Sequence, residues 1–149
     1  MPINECCNLG VVCCDADTAI PDVAALMRKH HVGDVIVVEE KEAKRVPIGI
    51  VTDRDIVLET IALHVDAEVF TAGDLMSSPI VTVREDEGLV ETLRIMRSHK
   101  VRRIPVVNAV GTLFGIVTTD DIINLLASEL SMMTGAIVEQ TVREGQRRK

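Results

Sequence analysis

The chain has no tryptophan and no tyrosine, and Phe70 and Phe114 are its only aromatic residues. Single-stranded nucleic acids and bare bases are usually held by stacking on aromatic rings, and that platform is missing here. A flat ligand would have to be gripped by aliphatic side chains. Basic residues are also in deficit: 16 Lys and Arg face 23 Asp and Glu, giving a formal charge of −7. Wrapping a phosphate backbone needs a basic face, so the balance argues against nucleic acid as a partner. No run approaches the roughly 18 consecutive apolar residues of a membrane span. The opening Met1-Pro2-Ile3-Asn4-Glu5 lacks the basic and apolar regions of a signal peptide. A cytoplasmic protein that binds no membrane is therefore expected. In that compartment Cys6, Cys7, Cys13 and Cys14 read as reduced thiols rather than a disulfide framework. Catalytic inventory is missing too. No serine is placed beside a histidine and an acid, and no glycine-rich phosphate loop appears, so an enzyme is not expected.

What is present is a duplication. With a shift of 69, Asp17, Met27, Arg28, His30, Val32, Val37 and Val38 meet Asp86, Met96, Arg97, His99, Val101, Val106 and Val107. With a shift of 66, Gly49-Ile-Val-Thr52 meets Gly115-Ile-Val-Thr118, and Asp55-Ile56 meets Asp121-Ile122. The three lost residues fall in the charged connection Glu39–Pro47, read as a loop, where length changes cost little. Ile20, Val23, Ala24 and Met27 recur at helical spacing, as do Leu89, Leu93 and Met96. Strands follow at Val35–Val38 and Ile104–Val107, then at Ile48–Val51 and Phe114–Val117. A second helix covers about Arg54–His64 in one copy and Asp120–Leu130 in the other. Short extended segments, Val11–Cys14 and Ile80–Val83, lead each copy. The expected class is α/β (α+β): two β-α-β-β-α repeats, residues 1–66 and 67–130, sharing one core. Residues 131–149 lose periodicity and end in basic residues, which reads as a frayed tail.

Each repeat places a Thr-x-x-Asp turn where a buried strand hands over to a helix: Thr52 to Asp55, and Thr118 to Asp121. Two readings are open. One is a helix N-terminal capping box, which satisfies backbone N–H groups. The other is a ligand site, since a helix N-terminus suits phosphate and a carboxylate can accept hydrogen bonds from vicinal hydroxyls. Flanking Ile and Val side chains can sandwich a base.

On Gly49–Ile56, Gly115–Ile122 and Val101-Arg-Arg-Ile-Pro-Val106, the chain resembles a tandem pair of CBS domains, a Bateman module, over roughly Ile3 to Leu130. The resemblance implies repeats packed about a pseudo-twofold axis with two clefts for adenosine-containing ligands: AMP, ADP, ATP or S-adenosylmethionine. It implies Asp55 and Asp121 as ribose ligands, with Thr52 and Thr118 beside them. Around the second cleft it implies Thr82, Arg102, Arg103, Ile104 and Pro105; around the first, Cys13, Asp34, Val35 and Arg54. It also implies a homodimer. Arg102 and Arg103 suit phosphate, whereas the aligned Gly33 and Asp34 do not, so the second cleft is expected to bind more tightly.

The repeat alignment puts Cys6 on Leu75, Cys7 on Met76 and Cys14 on Val83, which favours packing over metal binding. Cys13 meets Thr82 and is expected to line a cleft. His30 and His99 fall at helix ends, where a cation suits the dipole. The expected function is a regulatory adenosine-ligand sensor that signals by population shift to a separate effector protein. Two alternatives are a ligand-free interaction module and a thiol redox or metal sensor built on the N-terminal cysteines.

Overall fold

The computed structural model describes residues 1–148; Lys149, the last residue of the expected tail, lies outside them. A 3-10 turn at Ile3–Glu5 precedes β1 (Cys13–Asp15), α1 (Ile20–His30), β2 (Asp34–Lys41) and β3 (Lys44–Thr52). Next come α2 (Asp53–Ile56), which runs on as a π turn over Val57–Ile61, a 3-10 turn at Ala67–Val69, and α3 (Ala72–Leu75). The second half contains β4 (Val83–Arg84), α4 (Leu89–His99), β5 (Arg103–Val107), β6 (Leu113–Thr118) and α5 (Thr119–Arg147). There are two three-stranded sheets, ordered β1-β2-β3 and β4-β5-β6. In each, the first pair is parallel and the second antiparallel. Equivalent residues occupy equivalent registers: Cys14 opposes Val37 and Val83 opposes Val106. The irregularity between Val37 and Val38 recurs between Val106 and Val107. The α/β duplication is thus repeated in hydrogen bonding as well as in sequence.

Strand alternation divides the β-branched run of β2 between two cores. Val35 and Val37 pack with Ile20, Val23 and Met27 of α1, while Ile36 and Val38 point to a shared cluster with Ile116 of the other repeat. Ile50 and Leu113 join that cluster. Ile104, Val106, Val117 and Met96 form the core of the second repeat. Because both faces of the central strands are covered, these strands read as continuous apolar runs.

Several expectations are corrected. Glu39–Pro47 is not a loop: β2 and β3 pair out to Lys41 and Lys44. Only Glu42 and Ala43 turn, both with positive φ (51° and 61°), as a tight hairpin requires. Ala24 and Leu93 are exposed rather than core; Leu26 and Ile95, another equivalent pair, pack inward instead. The α2 segment leaves α-helical geometry after Ile56. Helix does not fray after Leu130, because α5 continues unbroken to Arg147.

The leading segments Val11–Cys14 and Ile80–Val83 stay with their own repeats, through β1 and β4, but the residues just ahead of them change places. Residues 3–8, ahead of the first repeat, pack on the second: Ile3, Cys6 and Cys7 enter its core, and Asn8 bridges Ile116. The segment ahead of the second repeat packs on the first. Ala72, Leu75 and Met76 enter that core, and Ser77 bridges Ile50. Each crossing passes over a glycine. A Cβ on Gly49 would collide with the Met76 side chain, and one on Gly115 would sit 2.9 Å from both the Asn8 carbonyl oxygen and Cys7 Sγ. The absence of a side chain lets these segments lie against the strand. Gly115→Ala is expected to destabilise the protein by about 1–3 kcal/mol, the range for forcing one extra methyl into a packed contact. Urea denaturation measures this, and an unchanged midpoint would show that residues 3–8 are not seated there.

Candidate functional site

Each helix N-terminus is tied back to the start of a central strand in its own repeat. Asp53 N–H donates to the Gly33 carbonyl at 3.0 Å, and Thr119 N–H to the Arg102 carbonyl at 2.9 Å. Both Thr-x-x-Asp turns form full capping boxes. Thr52 Oγ1 accepts from Asp55 N–H at 3.1 Å while Asp55 Oδ2 accepts from Thr52 N–H at 2.9 Å. Thr118 Oγ1 accepts from Asp121 N–H at 3.1 Å. Asp121 Oδ2 accepts both the Thr118 N–H at 3.1 Å and its hydroxyl at 2.8 Å. The capping reading is therefore realised twice. It uses Oδ2 of each carboxylate, and among the described residues Oδ1 of neither has a hydrogen-bond partner.

Both turns open toward one cleft of about 540 Å³ between the repeats. Thr52, Arg54 and Asp55 line it from one side and Arg102, Arg103 and Thr118 from the other. Residues expected in separate clefts are thus brought to the same wall. Pro105 lies in an adjoining recess of about 70 Å³, walled by Ile50, Ile80, Val81 and Val101. The remaining expected residues line neither. Val35 and Ile104 are fully buried in the two cores, a correction with a simple cause: strand alternation turns both toward their helices. Cys13 packs in the shared cluster between the repeats. Thr82 is half-buried off the wall, and Asp34 and Asp121 do not line it either, although Asp121 is capped just as Asp55 is. Sequence reasoning missed Ile50, Asp53, Ser77, Lys100, Val101, Thr119 and Asp120. A usable signal existed for some of them. Thr119 and Asp120 sit inside the second capping box, and Ser77 is the repeat equivalent of Asn8.

The electrostatics differ from an acidic cleft beside a basic one. Asp34 and Arg103 meet across the repeats, with Nε to Oδ2 at 3.0 Å. The Arg102 contact with Asp120, at 3.4 Å, is mostly exposed and worth little. Arg102 can therefore turn to an anion at small cost, whereas Arg103 is already engaged. Burial pushes the Asp34 carboxyl above its ordinary value, opposed by Arg103 and reinforced by Asp53. All four cysteine thiols are likewise pushed up, chiefly by burial, which keeps them protonated and poorly nucleophilic at neutral pH. No group of three or more His, Cys, Asp or Glu among the described residues is arranged to hold a metal ion.

The raised Asp34 pKa has a defined consequence for stability. Its protonated form is favoured by folding, so its contribution is fully present below the unfolded carboxylate pKa and is lost as pH rises through the higher folded value. Asp34→Asn abolishes that loss. Urea denaturation of both proteins at acid and neutral pH should show the variant gaining on the wild type as pH rises. A variant that loses ground would mean that the Arg103 ion pair outweighs desolvation.

The geometry can be set beside known proteins. The family model described as CBS domain matches twice, at residues 3–60 and 72–128. An uncharacterised protein of Methanopyrus kandleri is 38% identical over 73% of this chain, and the match spans 54% of that protein, about half its length. Hypoxic response protein 1 of Mycobacterium tuberculosis is 35% identical over 77% of the chain and 78% of its own length. The solved structure of hypoxic response protein I with two coordinated zinc ions covers 83% of this chain and 98% of its own, at 32% identity and a TM-score of 0.72. A CBS domain protein of Pyrobaculum aerophilum, solved in complex with AMP, covers 81% of this chain and 89% of its own at 27% identity and a TM-score of 0.72. With two family matches along the chain and the duplicated sheets and caps just described, this protein belongs to the CBS-domain family as a tandem pair.

Proposed function

We propose that the cleft between the repeats binds an adenine nucleotide and that the protein is a regulatory sensor rather than an enzyme. The observation that carries this is the composition of the wall. Arg54, Lys100, Arg102 and Arg103 stand beside the N-terminus of α5, whose dipole and free N–H groups favour an anion. Next to these lies the aliphatic recess of Ile50, Ile80, Val81, Val101 and Pro105, suited to a base in a chain that lacks stacking rings. Asp55, also on the cleft wall, offers Oδ1 to ribose hydroxyls. The AMP complex of the Pyrobaculum aerophilum relative supports the same ligand class. Arg54, Lys100 and the weakly held Arg102 favour AMP, ADP or ATP over S-adenosylmethionine, which brings no phosphate, with Asp53, Asp55 and Asp120 sharing the wall. A ligand touching both repeats would favour one arrangement of them over others, and an effector protein would read that shift. The working assembly is a homodimer.

Calorimetric titration with AMP, ADP, ATP and S-adenosylmethionine tests the reading. Nucleotides are expected to bind in the micromolar range, and S-adenosylmethionine more weakly. Replacing Arg102 and Arg103 together by alanine should weaken ATP binding at least ~10-fold, the scale of losing one charge-assisted hydrogen bond. Asp55→Ala should cost more affinity than Asp121→Ala, because only Asp55 lies on the wall; equal losses would refute this placement. Each change removes part of a helix cap, worth about 1 kcal/mol, so both variants need a denaturation control. Absence of heat with every ligand would reject the nucleotide site.

A further inference from the structure

Asp34 and Arg103 are equivalent positions of the two repeats, 69 residues apart, and they touch. Had the halves stayed alike, this contact would set like charges against each other; instead it joins a carboxylate to a guanidinium. It is also the more enclosed of the two arginine contacts at the cleft. The side chains of Arg103 and Asp34 are 39% and 17% exposed, against 78% and 74% for Arg102 and Asp120. Among the described residues Arg103 is the only cation within salt-bridge distance of Asp34.

The seat of the guanidinium decides what it can offer a ligand. Its Nε lies 3.0 Å from Asp34 Oδ2. Its Nη2 rests over the bare Gly33, 3.6 Å from where a Cβ would stand, with Asp53 Oδ2 3.2 Å from the same point. Nε and Nη2 form one of the edges with which an arginine grips an oxyanion through paired hydrogen bonds. That edge is turned to Gly33 and Asp34, neither of which lines the cleft, although Arg103 itself does. Arg102 differs. Its partners, Thr119 and Asp120, are on the cleft wall, so its donors stay within the cleft.

We propose that Asp34 is a resident competitor for the ligand's phosphate: it holds Arg103 back from the cleft, and nucleotide binds fully only when Arg103 leaves it. The apparent affinity is then the intrinsic affinity reduced by the fraction of molecules in which Arg103 is free. Leaving a half-buried carboxylate charged and unpaired is costly, which keeps that fraction small. Burial already favours the protonated form of Asp34, with Arg103 opposing and Asp53 reinforcing, and these two are the charged groups that act on it. Protonation weakens its hold on Arg103, so the competition fades as the pH falls.

This inference rests on nucleotide binding in the cleft and names its regulation. Calorimetric titration with ATP of the wild type, Asp34→Asn, Arg103→Ala and the double variant tests it. Asp34→Asn keeps the shape and removes the charge. It should bind ATP about 10-fold more tightly, as when Arg103 is free in about a tenth of wild-type molecules. On the Arg103→Ala background the same change should gain less than ~2-fold, because the effect runs through Arg103. The gap between wild type and Asp34→Asn should close from neutral toward acid pH. Unchanged or weaker binding by Asp34→Asn would overturn the proposal and leave the nucleotide site standing, the weaker case making Asp34 a residue that orients Arg103 for the ligand. An equal gain with and without Arg103 would also overturn it, reducing Asp34 to a general repulsive charge. No binding by any of these proteins would reject the nucleotide site and this regulation with it.

Discussion

The fold depends on two close approaches to strand glycines: Met76 packs its side chain on Gly49, and Cys7 and Asn8 lie on Gly115. Through them the residues just ahead of each leading segment complete the core of the other repeat, so neither half can bury its apolar surface alone. Ile3 and Cys7 belong to the core of the second repeat, Ala72 and Met76 to that of the first. The exchange fixes how the sheets meet, with Ile50 and its equivalent Ile116 contributing to one shared cluster. Cys7 and Met76 are equivalent residues doing the same job with different volumes. This explains a cysteine at the first position without assigning it chemistry.

The cleft is a product of that arrangement. Where the sheets meet, the two helix N-termini are brought to one space, and the residues before β2 face those before β5. Duplication alone would make the halves alike, but substitution has made them complementary. Gly33 and Asp34 stand where the second repeat has Arg102 and Arg103, and Asp34 consequently pairs with Arg103. One arginine is thereby held against a half-buried carboxylate, while the other stays at the surface with only a weak partner. A ligand phosphate would compete with Asp34 for Arg103, a direct route from occupancy of the cleft to the contact between the repeats.

The repeats, the element types and both caps were legible in the sequence because they rest on local pattern: periodicity, β-branched runs and a Thr-x-x-Asp spacing. Assignment of residues to clefts was not legible, since it depends on how the sheets cross. Asp34 and Arg103 are 69 positions apart, and no local rule pairs them. Val35 and Ile104 misled because their motif is shared by positions that face the core and positions that face the ligand. The charged ends of β2 and β3 read as a loop because exposed strand ends carry the same residues that loops do. The end of α5 looked unstructured because its face is apolar only when counted as heptads, and because Met132, Gly135 and Ala136 blur the ordinary helical period.

The central claim is that both repeats contribute to one nucleotide site. Equilibrium dialysis with labelled ATP at saturating concentration tests it most directly. The account predicts one nucleotide per chain, with binding weakened by a change on either side of the cleft, at Arg54 or at Arg102. Two nucleotides per chain, each sensitive to changes in only one repeat, would contradict it.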